Sequence, residues 1–150
     1  MRVPLIWRPA PNAEVTPARV AQPVGHLDLA PTFCAIAGIA ADPRMQGAPL
    51  PTAEDGSRQR VLTEWDGNFE GREVRQRSIY RDGYLCTVCE PTNTHDGTEG
   101  ELYDLKEDPR QFVNRWSDPA YAALKRDLIA DLYDNLPAAR AEPLEQVALV

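Results

Sequence analysis

The chain has few of the residues from which reactive centres are commonly built: its 150 residues include two histidines and three cysteines. Cys86-Thr87-Val88-Cys89 has the spacing of half a zinc site, but zinc takes four ligands. No second pair exists beyond His95 and the distant His26 and Cys34, so no metal centre is expected. In a strand, residues three apart point to opposite faces, which keeps the two sulfurs apart. A redox pair would need a helix N-terminus, where the dipole lowers a thiol pKa. Three cysteines cannot all pair, and their number assigns no compartment.

Long apolar runs are also missing. The longest, residues 29–41, is broken by Pro31 and Thr32 and falls short of the roughly 20 residues a bilayer demands. No membrane partner is expected, and the first residues carry no apolar stretch of signal-peptide length. Positive charge is not in excess either. A net charge of −7, with basic residues dispersed among carboxylates, argues against a nucleic-acid partner. Arg72, Arg75, Arg77 and Arg81 are the local exception and are expected to form the wet face of a strand.

What is present fits a globular α+β chain, with 43% apolar and 26% charged residues. Residues 3–7 form a short apolar run closed by Arg8-Pro9, the pattern of a buried strand stopped by proline. Residues 8–23 hold Pro9, Pro11, Pro17 and Pro23 and read as a surface loop. Asp28 can cap a helix that tolerates Pro31 in its first turn, places Leu29, Phe33, Ile36 and Ala37 on one face, and stops at Gly38. Residues 42–57 should wrap around the body.

The period then changes. Residues 60–65, 73–81, 84–88 and 101–105 carry β-branched and aromatic residues and are expected to form a small antiparallel sheet. Asp82-Gly83 between the second and third is a hairpin signal, because both residues tolerate positive φ. Tyr121, Leu124, Leu128, Leu132 and Leu136 recur at helical spacing between Asp118-Pro119 and Pro137. That helix should cover one face of the sheet. The expected organisation is a first region at 1–58, a sheet-and-helix region at 59–137 and a tail at 138–150.

Three blocks carry a family resemblance. Arg2-Val3-Pro4-Leu5-Ile6-Trp7-Arg8 followed by Pro23-Val24-Gly25-His26-Leu27-Asp28-Leu29-Ala30-Pro31-Thr32 resembles the run that follows the active site in sulfatases, R-V-P-L-I/F-x-R-W-P and then P-V-S-x-x-D-L-x-P-T. Arg77-Ser78-Ile79-Tyr80-Arg81-Asp82-Gly83-Tyr84-Leu85 is similar to a hairpin of that family. Gly100-Glu101-Leu102-Tyr103-Asp104-Leu105-Lys106-Glu107-Asp108-Pro109 matches its x-x-E-L-Y-D-L-x-x-D-P segment, with Asn114 on the family's Asn, Gln111 for its Glu and Arg115 for its Leu.

The resemblance implies the C-terminal portion of a sulfatase of the alkaline phosphatase superfamily. Residues 1–58 would be an edge strand and helix of an α/β core, and the remainder a four-stranded antiparallel sheet packed on a C-terminal helix. Full-length members use calcium and a formylglycine made from the Cys or Ser of a C/S-x-P-S/A-R motif. Those positions precede the R-V-P segment, so no catalytic, cofactor-binding or metal-binding residue is assigned here, and the chain alone is expected to be inactive. A sulfate ester would be its substrate only in the full-length context. Phosphonate and phosphate ester hydrolases share much of this pattern, and a non-enzymatic binding module is the alternative from another class.

Cys89-Glu90-Pro91-Thr92-Asn93 imitates the formylglycine motif, yet Asn93 replaces its Arg and Thr92 its Ser or Ala, and the segment leaves an antiparallel hairpin. It reads as a strand-to-loop exit. Trp65-Asp66-Gly67-Asn68-Phe69 places aromatics beside polar residues at a strand's end, so Trp65 and Asn68 are candidate sugar or aryl contacts, and His26 is a third. Apolar surface on residues 3–7 and on the helix after Asp28 is a candidate site of association.

Overall fold

The computed structural model describes residues 4–10, 13, 16–53, 56 and 58–137, so the expected tail lies outside the described residues. The chain divides into two compact units, Met1–Arg58 and Gln59–Val150.

The first unit carries one short helix, α1, Leu29–Ala37, entered through a 3-10 turn at His26–Asp28. Gly38 ends it in the left-handed conformation at φ 67°, and the Ile39 N–H closes back onto the Cys34 carbonyl at 2.9 Å. The apolar face carrying Phe33 and Ile36 is uncovered among the described residues, as an association surface would be. Phe33 and Ile36 stand exposed, and the buried positions are Pro31 and Thr32. Hydrogen bonding decides this orientation. The Thr32 hydroxyl donates to the Asp28 carbonyl at 2.5 Å and accepts the Leu50 N–H at 2.8 Å, which laces the 42–53 segment over that side of α1.

Asp28 works as a hub rather than as the side-chain cap of α1. It accepts the Gly25 N–H at 2.8 Å and the Ala48 N–H at 3.0 Å, and pairs with Arg58 at 2.6 Å. Burial opposes its charge, but the hydrogen bonds from Arg58, Gly25 and Ala48 outweigh burial and hold the carboxyl below the usual carboxylate range.

The expected strand at 3–7 does not form. Val3 lies outside the described residues, and 4–7 join no ladder among the described residues. A lone strand has nowhere to place its N–H and C=O groups except water. Leu5 and Ile6 are correspondingly exposed.

The second unit is a four-stranded meander in the order β1-β2-β3-β4, all antiparallel. The strands are β1 Arg60–Phe69, β2 Arg72–Arg81, β3 Tyr84–Cys89 and β4 Gly100–Asp104. Both hairpins turn on two residues with positive φ, Glu70-Gly71 (53° and 83°) and Asp82-Gly83 (53° and 83°). A 3-10 turn at Pro119–Tyr121, capped by the Asp118 carboxylate on the Ala120 N–H at 3.0 Å, leads into α2, Ala122–Asn135. Among the described residues no helix is long and apolar enough to cross a membrane.

Alternation puts Ile79, Cys86, Val88 and Leu102 on one face of the sheet, where Leu128 and Leu132 of α2 close the core. Arg77 and Arg81 lie on this same face rather than on a wet one. Their spacing brackets Ile79, so both are drawn toward the helix side and neutralised there. Arg81 pairs with Asp127 and with Asp131 at 2.5 Å, and Arg60 with Asp131 at 3.0 Å, tying α2 to the sheet. Arg77 is held by Asp66 at 2.6 Å, Glu64 at 3.3 Å and Glu90 at 3.4 Å.

Candidate functional site

The most distinctive surface of the second unit is the end of the β1–β2 hairpin. β3 pairs with β2 only over Gln76–Arg81, so Arg72 to Arg75 have β1 alone as a strand neighbour. The hairpin thus continues past the core as an arm of four residue pairs, about 13 Å long.

A two-stranded arm is marginal in water unless something braces it. The loop after β3 does so. The Asn93 side chain accepts the Glu73 N–H at 2.8 Å and donates to the Gly71 carbonyl at 2.6 Å. Thr92 donates to the Glu73 carbonyl at 2.9 Å, Thr94 donates to the same oxygen, and the Glu90 N–H reaches the Arg75 carbonyl at 2.9 Å. The residues that imitate the formylglycine motif therefore serve as a substitute edge strand. Sequence alone gives no sign of this, because the contacts are side chain to backbone across about twenty residues.

Gly67 and Phe69 on the arm and Trp65 at its base share the face away from α2. Trp65 and Phe69 are 51% and 55% exposed and meet edge to face, 5.9 Å between centroids at 67°. A Cβ at Gly67 would lie 2.8 Å from the Phe69 Cε2, so the ring lies close over bare backbone that glycine leaves free. Asn68 points the other way, and its carboxamide oxygen accepts the Gly71 N–H at 3.0 Å, closing the turn. Of the three sequence candidates, Trp65 and Asn68 share this strand on opposite faces. His26 is exposed in the first unit, in the 3-10 turn.

Two cavities accompany these elements. One in the second unit, of about 560 Å³, has Arg75, Glu90, Trp116, Ile129 and Tyr133 in its wall. Tyr133 donates to Glu90 at 3.2 Å across it. The other, about 510 Å³, lies within the first unit between residues 5–9 and the 16–24 and 50–52 loops.

The Cys86 and Cys89 thiols are poorly suited to nucleophilic chemistry. Burial pushes Cys86 up to about 11, and burial also raises Cys89, the Gln76 amide opposing it at 3.9 Å. Among the described residues no three His, Cys, Asp or Glu side chains gather as a metal would require. The carboxylates near the arm are turned onto Arg77 instead, and its hydrogen bond holds Asp66 below the usual carboxylate range.

A nearer match to the formylglycine pattern than the cysteine one is Ser117-Asp118-Pro119-Ala120-Tyr121, which does open a helix. Tyr121 stands where the pattern has Arg. Its ring lies 5.5 Å beneath the Arg115 guanidinium, and Asp118 is engaged as the cap and with Arg115 at 3.2 Å.

The family described as N-sulphoglucosamine sulphohydrolase, C-terminal, matches residues 1–137. The chain belongs to this sulfatase family. It is 32% identical over 131 residues to a Delta 4,5-hexuronate-2-O-sulfatase of Bacteroides thetaiotaomicron, covering 77% of this chain and 25% of the relative. Among solved structures it resembles a 2-O GAG sulfatase (33% identity, TM-score 0.60, 71% of this chain and 23% of that one). It also resembles an enzyme solved with its substrate D-glucosamine-2-N,6-O-disulfate (28% identity, TM-score 0.59, 71% and 22%). A phosphonate monoester hydrolase of Agrobacterium radiobacter, 22% identical at TM-score 0.58 over 71% of this chain and 23% of that one, shares the fold. The chain spans about a quarter of the length of the curated relative.

The sulfatase-like segment from Glu101 to Pro109 is architectural in this fold. Asp104 accepts the Lys106 N–H at 3.0 Å and the Glu107 N–H at 3.3 Å, turning the chain out of β4. Asn114 accepts the Leu102 N–H at 3.0 Å and donates to the Gly100 carbonyl at 3.0 Å, and the Arg115 N–H takes the Leu102 carbonyl at 2.7 Å. The outer edge of β4 is covered this way and offers no open ladder.

Proposed function

We propose that the chain serves as the C-terminal region of a sulfatase-type sulfuric ester hydrolase acting on sulfated sugars, giving support and a substrate-facing arm, and that it does not turn over sulfate esters alone. The observation that carries this reading is the family match over residues 1–137 in a sequence without a complete C/S-x-P-S/A-R motif. Supporting it, the motif residues Asp104 and Asn114 are engaged in turns and edge covering, and Cys86 and Cys89 are held as thiols. The sugar class is drawn from the sulfatase relatives, whose substrates are named as hexuronate and glucosamine sulfates.

Likeness to the phosphonate monoester hydrolase supports a second reading, the same region of a phosphonate or phosphate monoester hydrolase. Assaying the purified chain with an aryl sulfate and with an aryl phosphonate monoester, calcium present, should give no rate above buffer for either. Turnover of the sulfate would overturn the inactivity, and turnover of the phosphonate alone would favour the second reading.

A further inference from the structure

We propose that the outer face of the β1–β2 arm is a platform for one sulfated sugar residue, with Trp65 and Phe69 forming its apolar corner and Arg72 receiving the sulfate. This rests on the reading of the chain as a sulfatase C-terminal region and names the residues that would contact substrate.

Three features of the arm carry it. Two large aromatic side chains stay about half exposed side by side, while Ile79, Leu102, Leu128 and Leu132 of the same unit are fully buried. Set at 67°, the rings make a corner against which the C–H face of a pyranose can lie, and Gly67 lets the Phe69 ring settle close on the strand.

Charge is the second feature. Arg72 pairs in register with Phe69 and so stands on the same face as the rings. Arg75 is in an ion pair with Glu73 and Arg77 with three carboxylates, whereas Arg72 has no ion pair among the described residues. On a chain of net charge −7 an open guanidinium fork beside exposed aromatics complements a sulfated sugar, because the fork can take two oxygens of a sulfate at once.

Preorganisation is the third. Asn93, Thr92 and Thr94 fix the backbone of Gly71 and Glu73 on either side of Arg72, so binding need not order the arm.

The test is an NMR titration of the full 150-residue chain with D-glucosamine-2-N,6-O-disulfate and, separately, with unsulfated D-glucosamine. The disulfate should shift the Trp65 indole and the Gly67 and Gly71 amides, leaving the Trp7 and Trp116 indoles in place. Trp65→Ala should weaken binding about tenfold, and Arg72→Gln should abolish the preference for the sulfated sugar. An unmoved Trp116 indole, anchored by its 2.8 Å hydrogen bond to the Thr98 carbonyl, reports that each variant keeps its fold. Absence of arm shifts at millimolar sugar, or shifts that persist unchanged in Trp65→Ala, would overturn the platform. Catalysis is not read in this titration, so its failure removes the arm's role and leaves the sulfatase reading to the turnover assays.

Discussion

In the second unit, Ile79, Cys86, Val88 and Leu102 from three strands meet Leu128 and Leu132 of α2, and the surrounding arginines are paired around that apolar centre. Among the described residues of the first unit the buried ones are Asp28, Pro31 and Thr32, and Leu27, Phe33, Ile36 and Ile39 face outward. One unit is held by packing, the other by a polar hub with its loops hydrogen-bonded around it. The difference teaches that apolar periodicity finds an element's faces but not which face is covered. Covering depends on what packs there, and in the first unit a buried carboxylate and a threonine hydroxyl select the side.

The largest expected effect breaks the packed unit. Leu102→Ala removes a fully buried side chain and should cost about 3–4 kcal/mol in urea unfolding followed by circular dichroism. The amides of Gly25, Ala48 and Leu50 should keep their hydrogen-exchange protection. Loss of protection at both sets would mean that the two units unfold as one.

Asp28→Ala is the matching cut in the first unit. It leaves Arg58 without its buried partner and frees the Gly25 and Ala48 amides, at a cost of about 3 kcal/mol to that unit. Because the folded Asp28 is held below the usual carboxylate range, the stability it contributes is full above the unfolded value of about 3.9. That stability is lost as pH falls from there toward the lower folded value. Acid titration should therefore release the Ala48 amide in wild type below about pH 4, while Asp28→Asn shows no such step.

A smaller and more local effect concerns the arm. Asn93→Ala removes two hydrogen bonds to the arm's backbone and should cost about 1–2 kcal/mol locally. Exchange at Gly71 and Glu73 should quicken while Leu102 stays protected. Global destabilisation would show instead that arm and core are one cooperative element.

Much of the second unit was legible in sequence because its signals are local: Asp82-Gly83 as a turn, Asp118-Pro119 as a helix start, leucines at helical spacing. The strands run further than the propensity pattern suggests, since β1 passes through Asp66, Gly67 and Asn68, poor strand formers kept in register by Arg77, Arg75 and Glu73 across the ladder. Arg77 and Arg81 were misplaced on a wet face because charge patterning says nothing of a partner helix bearing Asp127 and Asp131. The strand expected at 3–7 fails for the converse reason: its pattern is right, but a strand exists only with a neighbour. At the arm, Trp65 is a sequence candidate as an aromatic beside polar residues, but its exposure, Arg72 beside Phe69 and the Asn93 brace require the structure.

The central claim, that this chain is the C-terminal region of a sulfatase, is tested most directly by a chimera. The C-terminal quarter of the Delta 4,5-hexuronate-2-O-sulfatase is replaced by this chain, and hydrolysis of its own sulfated substrate is measured with calcium present. The account predicts that the chimera folds and releases sulfate while the isolated chain does not. A folded, calcium-loaded chimera without turnover, or turnover by the isolated chain, would contradict it.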